Sequence, residues 1–303
     1  MTCAPRTLAA GWTLALCILL VPATAGAQGN GHAYGHAKKS TPSGGGASQF
    51  RPADPAGPGG TGIRNFGSWL DDASMMKPGE GTLTLSVGWF RSPVFREFDM
   101  PVVDGGIGLT RRVQFGFSVP YYHVNEPGGA VTRGVGDLFL NTKVQLVEPV
   151  AGKRAFGLAI SPVLEMLSGD PGPDGRYHWG LPVSMEAQRG RVRGFGSVGY
   201  FSRGSVFASG AVQVPISDRV ALTGSVTRSH SLQDDELSAA LGLTQTRTDI
   251  SASAGFALSP SASLFGAVGR TISRQDANAA TVVISAGAAF TFEAWRPVHR
   301  PTR

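Results

Sequence analysis

The stretch Val282–Phe292, VVISAGAAFTF, decides the fold. Successive side chains on a strand point to opposite faces. Val282, Ile284, Ala286, Ala288, Phe290 and Phe292 therefore share one face, apolar throughout. The other face carries Val283, Ser285, Gly287, Ala289 and Thr291, mostly small or weakly polar. A soluble strand can show this pattern once. Here it recurs along most of the chain behind an export-type segment, and that combination describes a barrel whose outer surface is apolar.

Working outward from that stretch, the chain from Glu80 onward divides into strand-length pieces separated by turn chemistry. Thr82–Arg91 places Leu83, Leu85, Val87 and Trp89 on one face, and Val102–Thr110 follows after a loop at Ser92–Met100. Arg111-Arg112 turns into Val113–Val124, where Val113, Phe115, Phe117, Val119 and Tyr121 oppose Gln114, Gly116, Ser118 and Tyr122. In Gly134–Val147, Leu138, Leu140, Val144 and Leu146 oppose Asp137, Asn141, Lys143 and Gln145. Phe156–Leu167, Tyr177–Gln188, Val192–Arg203 and Ser205–Ser217 come next, then Arg219–Ser231, Thr248–Ser259, Ser261–Ile272 and Ala280–Phe292.

The expected fold is all-β: a transmembrane, antiparallel, up-and-down β-barrel of about twelve strands, with ten and fourteen as neighbouring counts. Closure is demanded because an open sheet edge is unsatisfied in hydrocarbon. An even count returns both chain ends to the periplasm, and short links alternate with longer ones as short periplasmic turns and long external loops do. Trp89, Tyr121, Trp179, Tyr200, Phe290 and Phe292 are the candidates for the interfacial aromatic girdles.

Four regions make up the chain. Residues 1–27 form a signal peptide: Arg6 gives the positive n-region, Leu8–Val21 the apolar core, and Ala25-Gly26-Ala27 a small-residue cleavage site. Both cysteines, Cys3 and Cys17, fall inside it, so the exported chain is expected to hold no disulfide and no cysteine metal site. Residues 28–79 form a Gly/Ser/Pro-rich periplasmic tail in which Ile63–Met76 is the one segment with helical character, a candidate lid or plug. The barrel occupies 80–292, and 293–303 is a basic C-terminal tail.

Composition excludes other classes. The net charge of +6 and the pI near 9.7 invite a nucleic-acid reading. Yet Lys38, Lys39, Arg51, Arg296, Arg300 and Arg303 sit in the two tails, and the remaining cations are scattered without interleaved aromatics. No nucleic-acid partner is expected. After the leader no run approaches the 18 or so apolar residues of a membrane helix.

Gly106–Val124 (GIGLTRRVQFGFSVPYYHV), Gly134–Lys143 (GVGDLFLNTK) and Leu167–Asp170 (LSGD) resemble segments of the meta-pathway phenol-degradation-type outer-membrane proteins. So does the closing run Ile250–Phe292. The resemblance covers about 190 residues and departs from the family at Ala33–Gly60 and at Glu293–Arg303, beyond the expected terminal Phe. It implies a channel for hydrophobic or aromatic compounds in the outer membrane of a bacterial cell. Membrane lipid, a small solute and the barrel-assembly machinery are the partners this implies.

Catalytic chemistry has little to stand on, and the chain is read as no enzyme. Arg228-Ser229-His230-Ser231 is the one local cluster of triad-type residues, but adjacent strand residues face opposite sides. His230 therefore cannot share a face with Ser229 and Ser231 while the strand persists. Asp71-Asp72, Asp170 and Asp174 offer carboxylates for a loop cation without a compelling spacing, and His32 and His36 lie among glycines. No cofactor, metal or catalytic residue is assigned. The polar parity points to the lumen instead: Asn141, Lys143, Gln145, Glu165, Glu186, Arg193 and Arg203 are the candidate pore-lining residues. The expected function is passive passage of small solutes; the alternatives are a non-conducting structural or adhesive barrel and an outer-membrane lipid-modifying hydrolase.

Overall fold

The computed structural model describes residues 70–93, 96–125, 131–148, 155–168, 176–202, 204–232, 244–276 and 279–295. The segment expected to be a signal peptide, the rest of the expected tail up to residue 69, Arg203, most of the Ser231–Arg247 loop and the chain beyond Trp295 lie outside them.

Fourteen strand segments build one sheet: β1 (Glu80–Arg91), β2 (Arg96–Gly108), β3 (Val113–Asn125), β4 (Val131–Val135), β5 (Leu138–Val147), β6 (Ala155–Ile160) and β7 (Val163–Met166). They continue as β8 (Tyr177–Arg189), β9 (Val192–Phe201), β10 (Ser205–Pro215), β11 (Val220–Ser231), β12 (Thr246–Ser259), β13 (Ala262–Thr271) and β14 (Val282–Glu293). β4 and β5 form one crossing interrupted at Gly136-Asp137, and β6 and β7 one interrupted at Ser161-Pro162. The result is a closed antiparallel barrel of twelve crossings. Closure is made by the opening stretch: β14 pairs with β1 in unbroken register from Glu80↔Glu293 to Arg91↔Val282. No edge is left at that seam, which is the condition hydrocarbon imposes.

The strand ends follow the alternation to within a few residues, with one instructive difference. β2 begins at Arg96, inside the segment expected to be a loop. Its register shifts between Asp99 and Val102, where a bulge spans Met100 and Pro101. A bulge reverses the face on which later side chains appear, so the alternation on its two sides does not read as one strand.

Burial gives the two faces directly. Along β5, Phe139, Asn141, Lys143 and Gln145 are buried inside while Leu138, Leu140, Val144 and Leu146 face out. On β14, Ile284, Phe290 and Phe292 are exposed and Val283, Ser285 and Ala289 buried. The inside of this protein is thus its polar side, the inverse of a soluble barrel. Glycines on the outer wall are covered by rings: Phe292 lies over Gly81 and Phe117 over Gly105, each its direct cross-strand partner. Trp89, Tyr121, Trp179 and Tyr200 all point outward near one end, with Trp179 and Tyr200 rings 5.7 Å apart, and Phe290 and Phe292 point outward at the other.

Candidate functional site: the lumen and its internal segment

Charge is segregated by face. Between the rim residues Glu80 and Glu293, every carboxylate of the described strands has lumen-facing parity: Glu97, Asp99, Asp104, Glu165, Glu186 and Asp249. Among the strand cations Lys143, Arg193 and Arg247 face in, whereas Arg91, Arg96, Arg133, Arg189, Arg228 and Arg270 face out. A chain with a positive total therefore encloses an acidic lumen.

Into the lumen runs the segment Leu70–Met76 (LDDASMM), all of it buried. It carries no helical turn, in place of the helix expected for Ile63–Met76, of which residues 63–69 lie outside the described residues. The physical reason is the company its backbone keeps. The Met76 N–H donates to Gln114 Oε1 at 3.0 Å, and the Ala73 carbonyl accepts from Gln145 Nε2 at 2.9 Å. Wall side chains thus take up backbone groups that a helix would pair within itself. Asp72 adds a local turn, its Oδ1 accepting from the Ser74 N–H and hydroxyl. At the far end Leu70 packs on Phe195 and Ala211.

The segment is also held by charge. Lys143 Nζ lies 2.8 Å from Asp71 Oδ1 and 3.6 Å from Asp72 Oδ1. Arg193 bonds Asp72 through Nη2, lies 2.7 Å from Glu186 Oε2, and stacks its guanidinium 4.8 Å from the Phe195 ring centre. Lys143 and Arg193 thus meet Asp71, Asp72 and Glu186 in a compact buried lattice. Buried charges survive only when paired and hydrogen-bonded in this way.

How the segment enters is set by two glycines. Gly79 has φ of 81° and reverses the chain from the lumen into β1. Its N–H donates to the Gly108 carbonyl at 2.8 Å and its carbonyl accepts from the Ala294 N–H at 2.7 Å. A Cβ on Gly79 would strike the Trp295 carbonyl, and one on Gly108 would strike Lys77. The reversal sits between the β2 and β14 ends, at the rim shared by Glu80 and Glu293.

Of the residues picked from sequence, Asn141, Lys143, Gln145, Glu165, Glu186 and Arg193 all face inward and are buried. Arg203 lies outside the described residues. Lys143, Gln145, Glu186 and Arg193 converge on the internal segment or its lattice, while Asn141 and Glu165 sit farther along the wall. Asp71 and Asp72, read as loop carboxylates, are the segment's own anchors; Asp170 and Asp174 lie outside the described residues. Sequence reasoning missed Gln114 and Ser184, whose hydroxyl is 3.5 Å from Asp71 Oδ2. Their only signal was inward parity.

The rest of the lumen differs by sector. Ser209, Ser225, Thr227, Ser251 and Ser253 on β10, β11 and β12 keep partial exposure, and Ser225 and Ser251 hydroxyls meet at 2.6 Å. Two apolar clusters face inward elsewhere: Phe139, Val163, Phe201 and Phe207, and Phe90, Val124 and Val283 with Tyr122 against them.

The Ser229–His230–Ser231 cluster separates as the strand geometry requires. His230 faces outward with Nδ1 2.8 Å from Thr246 Oγ1, and Ser229 is buried on the lumen face. Among the described residues no group of three or more His, Cys, Asp or Glu side chains is placed to hold a metal ion.

The fold is shared with solved outer-membrane proteins. It is similar to an outer-membrane channel from Pseudomonas putida F1, with a TM-score of 0.56 and 15% identity over 73% of this chain and 98% of that one. It is also similar to the NanC porin, with a TM-score of 0.51 and 9% identity over 69% of this chain and 98% of that one. No family model and no curated protein matches the chain. At these identities the likeness is one of architecture: the chain has the closed antiparallel twelve-stranded fold of outer-membrane β-barrel channels and porins.

Proposed function

We propose that this protein is a passive channel in the bacterial outer membrane, with Leu70–Met76 as an internal constriction. One observation carries the reading: a closed wall whose described strands are mainly apolar outside and carry their buried polar and acidic side chains inside. Such a wall is stable in hydrocarbon only as a barrel, and its polar interior is useful only to something that passes through or sits within it. The internal segment lies against β3, β5, β8, β9 and β10, and the inward hydroxyls that keep partial exposure are those of Ser209, Ser225, Thr227, Ser251 and Ser253, so the reading routes a solute past β11 and β12.

The solute class follows from the sequence resemblance together with the inward rings. Phe139, Phe201 and Phe207 form a buried aromatic cluster on the inner face, and partly exposed serine hydroxyls on β10, β11 and β12 offer hydrogen bonds. That pairing suits small aromatic solutes with one polar group, the type of ligand that apolar walls with a few polar contacts bind and orient. No cofactor or energy source is needed. Lipid, the solute and the barrel-assembly machinery are its partners in this reading.

The test is conductance of the refolded chain in planar bilayers, with uptake of phenol-sized aromatics and of neutral sugars into proteoliposomes. Stepwise conductance with aromatic flux above protein-free vesicles is expected. Silence in both assays would sink the channel reading and leave a non-conducting barrel, which the buried lattice on the internal segment would then explain.

A further inference from the structure

The outward arginines are not used by a lumenal function, and two of them are placed against electrostatic sense. Arg91 on β1 and Arg96 on β2 are direct cross-strand partners, both exposed on the outer wall. Like charges directly opposite one another destabilise a sheet. Among the described residues no carboxylate forms an ion pair with either, and every strand carboxylate short of the rim faces the other side of the wall.

Their depth is fixed by the row beneath. Trp89, Phe98, His123 and Arg133 are successive cross-strand partners on β1, β2, β3 and β4, one pair below Arg91 and Arg96 on the outer wall. Trp and aromatic rows mark the level where headgroups begin. Two residues farther along a tilted strand lie about 5 Å higher along the membrane normal. The two arginines therefore stand at headgroup level, and Arg133, two strands from Arg96, ends the aromatic row one outward pair below them. This is the end opposite the Glu80 and Glu293 rim where the chain enters and leaves the barrel.

We propose that Arg91, Arg96 and Arg133 form a docking surface for the phosphate headgroup of an outer-leaflet lipid. The planar forks of arginine bind phosphate oxygens bidentately. A phosphate between Arg91 and Arg96 removes their repulsion, and the lipid's acyl chains lie along the exposed outer wall below. Apolar contact and charge thus act on one molecule, which free phosphate cannot reproduce. The inference rests on the membrane placement proposed above.

The test is native mass spectrometry of the refolded, detergent-solubilised chain given bis-phosphorylated lipid A and phosphatidylcholine in equal amounts. Preferential retention of lipid A is expected, falling about tenfold in the Arg91→Gln/Arg96→Gln variant. It should fall less in Arg91→Lys/Arg96→Lys, which keeps the charge without the planar fork, and persist in Arg189→Gln at the opposite end. Arg133→Gln, measured alone, should lower retention even where the double variant does not refold. Equal retention by the double variant, equal retention of phosphatidylcholine, or displacement by millimolar inorganic phosphate would each overturn the proposal. Heat-modifiable electrophoretic mobility reports barrel formation separately, so a failure of lipid binding is distinguishable from a failure to form the barrel at all.

Discussion

Lys143 Nζ lies 2.8 Å from Asp71 Oδ1, with both side chains almost wholly removed from solvent although 72 positions separate them. The contact ties the wall at β5 to a segment that precedes the first strand. It makes the state of the lumen depend on a single buried pair and its neighbours.

Removing one partner leaves the other charge buried and poorly compensated. Asp71→Ala or Lys143→Ala should therefore destabilise the barrel by about 3–5 kcal/mol, less whatever water entering the lumen restores. Removing both, as Asp71→Asn/Lys143→Met, should restore most of that stability while leaving the segment unlatched. Denaturant unfolding of the refolded chain measures the first effect. A single-channel conductance higher in the double variant than in the native chain measures the second. If the double variant is as unstable as the singles, the pair is not coupled.

Arg193 is the more demanding cation, since it faces Asp72 and Glu186 at once and stacks on Phe195. Arg193→Met leaves those two carboxylates facing each other across the space the guanidinium vacates. The expected loss is about 3–5 kcal/mol. Arg193→Lys should recover only part of it, because an ammonium lacks the planar fork and stacks less well. Recovery to the native level with Lys would show that only the charge matters at this position.

The acidic parity of the lumen has an electrical consequence. Glu97, Asp99 and Asp104 all project inward from β2, a strand whose cation, Arg96, faces out. On β12, Asp249 lies 2.9 Å from Arg247. Fixed negative charge in a narrow, poorly screened space favours cations. Reversal potentials across a salt gradient should show cation preference, and Asp99→Asn/Asp104→Asn should move the permeability ratio toward unity. Anion preference in the native chain would contradict the charge map.

Much of this was legible in the sequence, for a reason specific to the environment. Lipid on one face and water on the other force each residue of β5 or β14 to declare its side, so alternation located the strands and gave Asn141, Lys143, Gln145, Glu165, Glu186 and Arg193 their inward direction. Direction is not partnership. Nothing in the spacing of Lys143 and Asp71 links them, because the contact depends on how the chain folds back at Gly79. The Met100-Pro101 bulge hid the start of β2, since it breaks the same periodicity by which the other strands were found.

The reversal at Gly79 gives the sharpest test of the internal segment. With φ at 81°, a side chain there is strained by about 1–3 kcal/mol, and its Cβ meets the Trp295 carbonyl. The same glycine is clasped by Gly108 on one side and Ala294 on the other, so relief requires the rim to open. Gly79→Val should therefore free the lumen segment while leaving the wall, whose ladders begin at Glu80, in place. A cysteine introduced by Ala73→Cys, at a position now wholly buried, reports the change through its rate of maleimide labelling. Labelling should be slow while Gly79 is retained and rise at least about tenfold in the Gly79→Val background, the factor equivalent to about 1.4 kcal/mol of local opening. Fast labelling in both backgrounds would mean that the segment does not occupy the lumen.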